Sequence, residues 1–112
     1  MKGRKIGPLF VCLLACLLAC GLSAAQSDVQ AGRGKARMCA VCHGEFGIGT
    51  VPNTPNLAGQ PELYLAEQLR AYRSGKRANE MMSIVAKPLT DAEITDLAAW
   101  FASIQVEVKP RK

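Results

Sequence analysis

A chain of 112 residues with 14 Lys and Arg against nine Asp and Glu has room for one ordinary domain and a formal charge of +5. Three of those bases lie within residues 1–25 and all nine acids lie beyond, so the remainder keeps an excess of only two, which removes the case for nucleic-acid binding. Three of the five cysteines fall in the same first segment, and the two that remain exclude a disulfide framework.

Residues 1–25 read as a secretory signal peptide. Lys2, Arg4 and Lys5 form a basic head, Ile6 to Ala19 carries no charge, and Ser23-Ala24-Ala25 supplies small residues at a cleavage site. The apolar run is shorter than the roughly 20 residues that span a bilayer. Cleavage after Ala25 and export to the bacterial periplasm are expected. The alternative is a membrane-anchored protein facing the periplasm, either uncleaved or lipidated at Cys20. Leu17-Leu18-Ala19-Cys20-Gly21 resembles a lipobox, although Leu18 is bulkier than usual, and Cys12, Cys16 and Cys20 read more simply as apolar filler.

Residues 26–30 form a flexible lead-in to a domain over 31–105. Ala31 to Cys39 has helical composition interrupted by Gly32 and Gly34, and the pair points to a close helix crossing. Gly34 is the expected contact, with an aromatic partner near the C-terminus. Cys39-Ala40-Val41-Cys42-His43 follows. Two thiols two residues apart can each form a thioether to a haem vinyl group, and the adjacent histidine can ligate the iron. The same C-x-x-C spacing also serves thioredoxin-like chemistry or half of a zinc site.

From Gly44 to Gly59 the chain is turn chemistry throughout, and a loop this long inside a small domain implies that it wraps something. Gln60-Pro61-Glu62 opens a helix over Glu62 to Ser74, striped by Leu65, Leu69 and Tyr72 and stopped by Gly75. The next stretch is mixed: Asn79 to Ser83 reads as irregular, with one helical turn over Ile84-Val85-Ala86 before Pro88. Thr90 and Glu93 then form a capping box, and Ile94, Leu97, Ala98, Phe101 and Ile104 carry a helical stripe. Residues 106–112 form a charged tail. No strand-period alternation of useful length occurs, so the class is all-α.

The remaining residues choose among the three chemistries. Zinc needs two further Cys or His ligands and none remains beyond residue 43; a thioredoxin-like pair needs βαβ elements. A haem iron held by His43 has a second axial position. No other histidine exists, and Met38 abuts the pentad, so a thioether ligand comes from Met81 or Met82.

The order of parts resembles a class I c-type cytochrome, of the short single-haem type and similar to one half of the bacterial two-haem cytochromes c. The resemblance rests on Gly34, the Cys39–His43 pentad, Pro55-Asn56-Leu57-Ala58-Gly59-Gln60, Tyr64-Leu65-Ala66-Glu67-Gln68-Leu69, the methionine pair, and Leu89-Thr90-Asp91 leading into Leu97-Ala98-Ala99-Trp100-Phe101. It implies a small cytochrome c fold, three to four helices around one haem c held by thioethers to Cys39 and Cys42. It implies His43 and Met82 as axial ligands, Met82 because it precedes Thr90 by eight residues, with Met81 the fallback. It implies that the Pro55 carbonyl accepts a hydrogen bond from the second ring nitrogen of His43. Trp100 stands where the family has an aromatic packed near Gly34.

The expected function is that of a periplasmic one-electron carrier in a respiratory chain, not an enzyme. The partners are redox proteins, including a membrane oxidase or reductase. Lys35, Arg37, Arg70, Arg73, Lys76, Arg77 and Lys87 are candidates to ring the exposed haem edge. The alternatives are a haem c subunit of a larger oxidoreductase and a five-coordinate cytochrome that binds a small gas.

Overall fold

The computed structural model describes residues 26–111, so the expected signal segment and the alternative anchor at Cys20 lie outside the described residues. Within them the chain forms α1 (Val29–Lys35), a 3-10 turn (Ala36–Met38), α2 (Ala40–His43), α3 (Glu62–Ser74), α4 (Glu80–Ala86) and α5 (Asp91–Ser103). The described residues contain no strand, in keeping with the sequence pattern.

The first helix begins inside the segment 26–30 that was expected to be a flexible lead-in. The Asp28 carboxylate accepts from the N–H groups of Gln30 and Ala31 at 2.8 and 3.0 Å, which satisfies two donors that a helix start leaves open. The Asp28 N–H in turn donates to Asp96 Oδ1 at 2.7 Å, so the start of α1 is tied to α5. These two helices cross at Gly32, where a Cβ would stand 2.0 Å from the Asp96 carbonyl oxygen and 3.0 Å from Trp100 Cβ. Gly34, the expected contact, has nothing within 4 Å of its Cβ position. Two residues along a helix turn the side-chain direction by about 200°, so only one of the pair can face α5. Trp100 does pack at the crossing, with the Arg33 guanidinium 5.4 Å from its ring centroid.

Two polar ties complete this helical frame. Lys35 pairs with Glu93, whose Oε2 accepts from the Thr90 N–H at 2.9 Å while the Glu93 N–H donates to Thr90 Oγ1 at 3.2 Å. The capping box is thus present, and one of its members also holds α1. Arg73 of α3 donates to the Leu89 carbonyl at 2.9 Å and to the Asp91 carboxylate, fastening α3 to the start of α5. Gly75 closes α3 at φ +82°, a left-handed conformation that glycine adopts without steric cost.

Within the segment expected to be irregular over 79–83, residues from Glu80 onward are helical, and α4 extends to Ala86. Asn79 is the reason. Its Oδ1 accepts from the N–H groups of Met81 and Met82 at 3.1 and 2.9 Å and so starts a helix that carries no obvious apolar stripe.

The core comprises Ala36, Leu65, Ala66, Ala86, Leu89, Ile94, Leu97, Ala98 and Phe101, so that four of its nine members are alanine. Around it Val41, Leu63, Met81 and Ile84 are 78, 69, 59 and 68% exposed. A small alanine-rich core beside uncovered apolar side chains is what a domain of this size shows when a large apolar body completes it.

Candidate functional site

The 3-10 turn delivers Cys39 to the start of α2. The N–H groups of Cys42 and His43 both donate to the Cys39 carbonyl, at 3.3 and 2.9 Å. That single turn sets positions 39, 42 and 43 on one helical face, as the i, i+3, i+4 relation requires. Both thiols are free and half-buried. Cys39 packs against the core, and burial pushes its thiol up to about 11 against the opposing pull of Lys35. Gly44 ends the turn at φ +76°, and a Cβ there would stand 2.2 Å from the Ile48 carbonyl oxygen.

His43 is the one buried polar side chain among the described residues, 7% exposed. Its Nδ1 lies 2.9 Å from the Pro55 carbonyl oxygen. A carbonyl can only accept, so Nδ1 carries the proton and donates, which leaves the lone pair on Nε2. Among the described residues no hydrogen bond engages Nε2.

The loop over 44–59 is built to bring Pro55 there. The Leu57 and Ala58 N–H groups donate to the Gly47 carbonyl at 2.7 and 3.1 Å. The Thr50 N–H and Oγ1 both donate to the Cys42 carbonyl, at 3.1 and 3.3 Å. The Gly49 N–H donates to Asn56 Oδ1 at 2.8 Å. Thr50 and Asn56 were not singled out from the sequence as site residues; Asn56 lay in the Pro55–Gln60 motif of the resemblance without a role, and Thr50 only in the turn-rich loop.

The two candidate methionines differ in setting. Met82 is half-buried and lies one helical turn before the fully buried Ala86, whereas Met81 is 59% exposed. Met38, beside the pentad, is 44% exposed. The basic residues divide as well. Lys35 is committed to Glu93, Arg70 and Arg73 to Asp91, and Arg77 donates to Gln68 and stacks over the Tyr72 ring at 4.7 Å. Four of the seven candidate rim residues thus have side-chain partners within the fold.

This donor set fits a haem and little else. Among the described residues no group of three or more His, Cys, Asp or Glu could hold a metal ion by itself. A porphyrin brings its own equatorial nitrogens and asks the chain for axial donors, vinyl-reactive thiols and an apolar wall. Nε2 of His43, the two thiols and a methionine on α4 match the donors among those needs.

Comparison with known proteins gives the same direction. A family model described as Cytochrome c matches residues 30–105. The chain is 42% identical over 100 residues to cytochrome c4 of Pseudomonas aeruginosa, covering 89% of this chain and 50% of that protein. It is 42% identical over 88 residues to a thiosulfate dehydrogenase electron acceptor of Thiomonas intermedia, covering 78% of this chain and 41% of that protein. The crystal structure of reduced recombinant cytochrome c4 from Pseudomonas stutzeri matches with a TM-score of 0.69 at 37% identity, over 74% of this chain and 48% of that one. The chain therefore spans about half the length of the curated relatives it matches.

Proposed function

The chain belongs to the cytochrome c family, with a cytochrome c fold and one covalently bound haem c, and from that premise we propose that it is a one-electron carrier with His43 and Met82 as axial ligands. The observation that supports this reading most directly is the buried His43, whose Nδ1 is committed to the Pro55 carbonyl and whose Nε2 is left with its lone pair.

When bound, the haem supplies an iron that takes up and releases one electron. The chain supplies the rest. Cys39 and Cys42 are the residues that hold the group by thioethers, and the turn of α2 sets their spacing. Pro55 fixes the tautomer of His43 and makes its Nε2 a more basic ligand. Met82, half-buried and held on α4 through the Asn79 cap, would be the thioether donor, and a methionine ligand would favour the ferrous state. Export through the signal at residues 1–25 would place the carrier in the periplasm, where it would serve a respiratory chain.

Optical spectra of Met81→Ala and Met82→Ala beside the parent test the ligand assignment. The oxidised parent and Met81→Ala are expected to show the near-infrared methionine-to-iron charge-transfer band. Met82→Ala is expected to lose it and to bind carbon monoxide at neutral pH. Loss of the band in Met81→Ala alone would move the ligand to Met81. A parent without the band that binds carbon monoxide would instead be a five-coordinate gas-binding protein.

A second reading, a dedicated haem subunit or acceptor of a larger oxidoreductase, is favoured by the similarity to the thiosulfate dehydrogenase electron acceptor. Retention of the protein with an oxidoreductase through purification at moderate salt would support it over the free carrier.

A further inference from the structure

The loop residues that the fold places around Pro55 form a short bridge between the two ends of the His43 hydrogen bond. On one side, Thr50 grips the Cys42 carbonyl through both its N–H and its hydroxyl, at 3.1 and 3.3 Å. Cys42 is the residue immediately before His43, so Thr50 is fixed to the backbone that carries the imidazole. On the other side, Gly49 meets both neighbours of Pro55. Its N–H donates to Asn56 Oδ1 at 2.8 Å, and its Cα lies so close to Thr54 that a Cβ would stand 2.4 Å from the Thr54 carbonyl oxygen. Gly49 and Thr50 are consecutive, so one peptide unit links the donor's backbone to the acceptor's.

We propose that Asn56 is a positioning residue: by clamping Gly49 it sets how closely the Pro55 carbonyl approaches His43 Nδ1, and through that distance it tunes the reduction potential of the protein. The inference rests on the reading of His43 as an axial ligand. A donor hydrogen bond from Nδ1 raises electron density on Nε2, and a more basic ligand favours the ferric state. Asn56 touches neither His43 nor the haem site by any hydrogen bond of its own, and its side chain is bonded to a loop amide. Its effect therefore travels entirely through the bridge. A plain turn-stabilising asparagine would change stability and leave the imidazole as it was.

The haem-loaded protein is the material for the test, with Asn56→Leu, which keeps roughly the size and loses the acceptor, and Asn56→Asp, which keeps the acceptor. Three quantities are measured: the reduction potential, the solvent exchange of the His43 Nδ1 proton by NMR in the reduced protein, and the melting temperature. Asn56→Leu is expected to shift the ferric-to-ferrous ratio at fixed ambient potential about 2- to 10-fold toward ferrous, the span of one weakened hydrogen bond. It should also speed exchange of the Nδ1 proton, while Asn56→Asp restores parental exchange. A lower melting temperature with unchanged potential and exchange would overturn the proposal and leave Asn56 a structural clip. Should Asn56→Leu fail to retain haem, Thr50→Val decides: it removes the hydroxyl bond at the other end of the bridge, and a smaller shift in the same direction is expected, with no shift overturning the proposal. Failure of the ligand reading would show in the parent alone, as the absence of an iron-shifted His43 resonance in the oxidised protein.

Discussion

Gly32 and Gly34 look interchangeable in the sequence and are not in the fold. A methyl group at Gly32 would be driven into the Asp96 carbonyl, which belongs to α5 backbone and cannot move without unseating the crossing. Gly32→Ala is therefore expected to destabilise the haem-loaded protein by about 3 kcal/mol, the upper part of the usual overpacking range. Gly34→Ala meets open space near the end of α1, where the chain runs on into the 3-10 turn, and should stabilise by about 0.5–1 kcal/mol, because alanine gives up less backbone freedom on folding. Guanidinium unfolding followed through Trp100 fluorescence or haem absorption measures both. Equal effects from the two substitutions would mean that the crossing is not where the structure places it. Why sequence reasoning preferred Gly34 is clear at this scale: the choice depends on which way the helix is rotated when it meets α5, and that rotation is a property of the pair of helices.

At the scale of elements, legibility follows how local each helix's causes are. The bounds of α3 and the start of α5 were readable because proline, glycine and the Thr90–Glu93 box mark them within a few residues. The helix α4 was not readable, since a seven-residue segment without a stripe depends on the Asn79 cap and on packing against α3. The pentad was legible because it is contiguous; the choice of Met82 over Met81 needed a resemblance, and the Gly49–Thr50–Asn56 bridge depends on the path of a loop. Because α4 carries Met82, the proposed ligand, its cap should be visible at the iron. Asn79→Ala is expected to cost about 1 kcal/mol of α4 stability, and carbon monoxide binding should become about fivefold tighter as the methionine-off state gains population. Asn79→Asp should stay near the parent in the same titration. The start of α5 adds a pH dependence. The hydrogen bond from Arg73 and then its charge hold the Asp91 carboxyl below its ordinary 3.8, and the hydrogen bond from Lys35, followed by the Thr90 N–H, holds Glu93 below 4.5. A carboxyl lowered in the folded state contributes stability that is complete above the ordinary value and is lost as pH falls through the lowered one. The stability gap between parent and the Asp91→Asn, Glu93→Gln double variant should thus be constant above pH 4.5 and close below 3.8 in acid denaturation.

For the molecule as a whole, the described helices are too short and the core too small to stand alone. The two longest have 13 residues each, at the margin of what an isolated helix sustains in water, and α1, α2 and α4 have seven, four and seven. Among the described residues Ile94 and Leu97 are the largest side chains less than 2% exposed. The polar ties across the bundle are partly exposed ion pairs such as Lys35–Glu93, which solvent screening leaves weak. A haem held at Cys39 and Cys42 would add the large apolar body that this small core lacks. The haem is then a structural member as well as the redox centre, and the thioethers keep it in place through both oxidation states. The Cys39→Ser, Cys42→Ser double variant, purified free of haem, is expected to lose more than half of its helical circular dichroism and to melt without a cooperative transition. Adding haem back without covalent attachment should recover part of the helix signal, because His43 and the apolar wall are still present. A haem-free double variant that melts cooperatively with full helix content would show that the protein frame is self-sufficient and that the haem only occupies it.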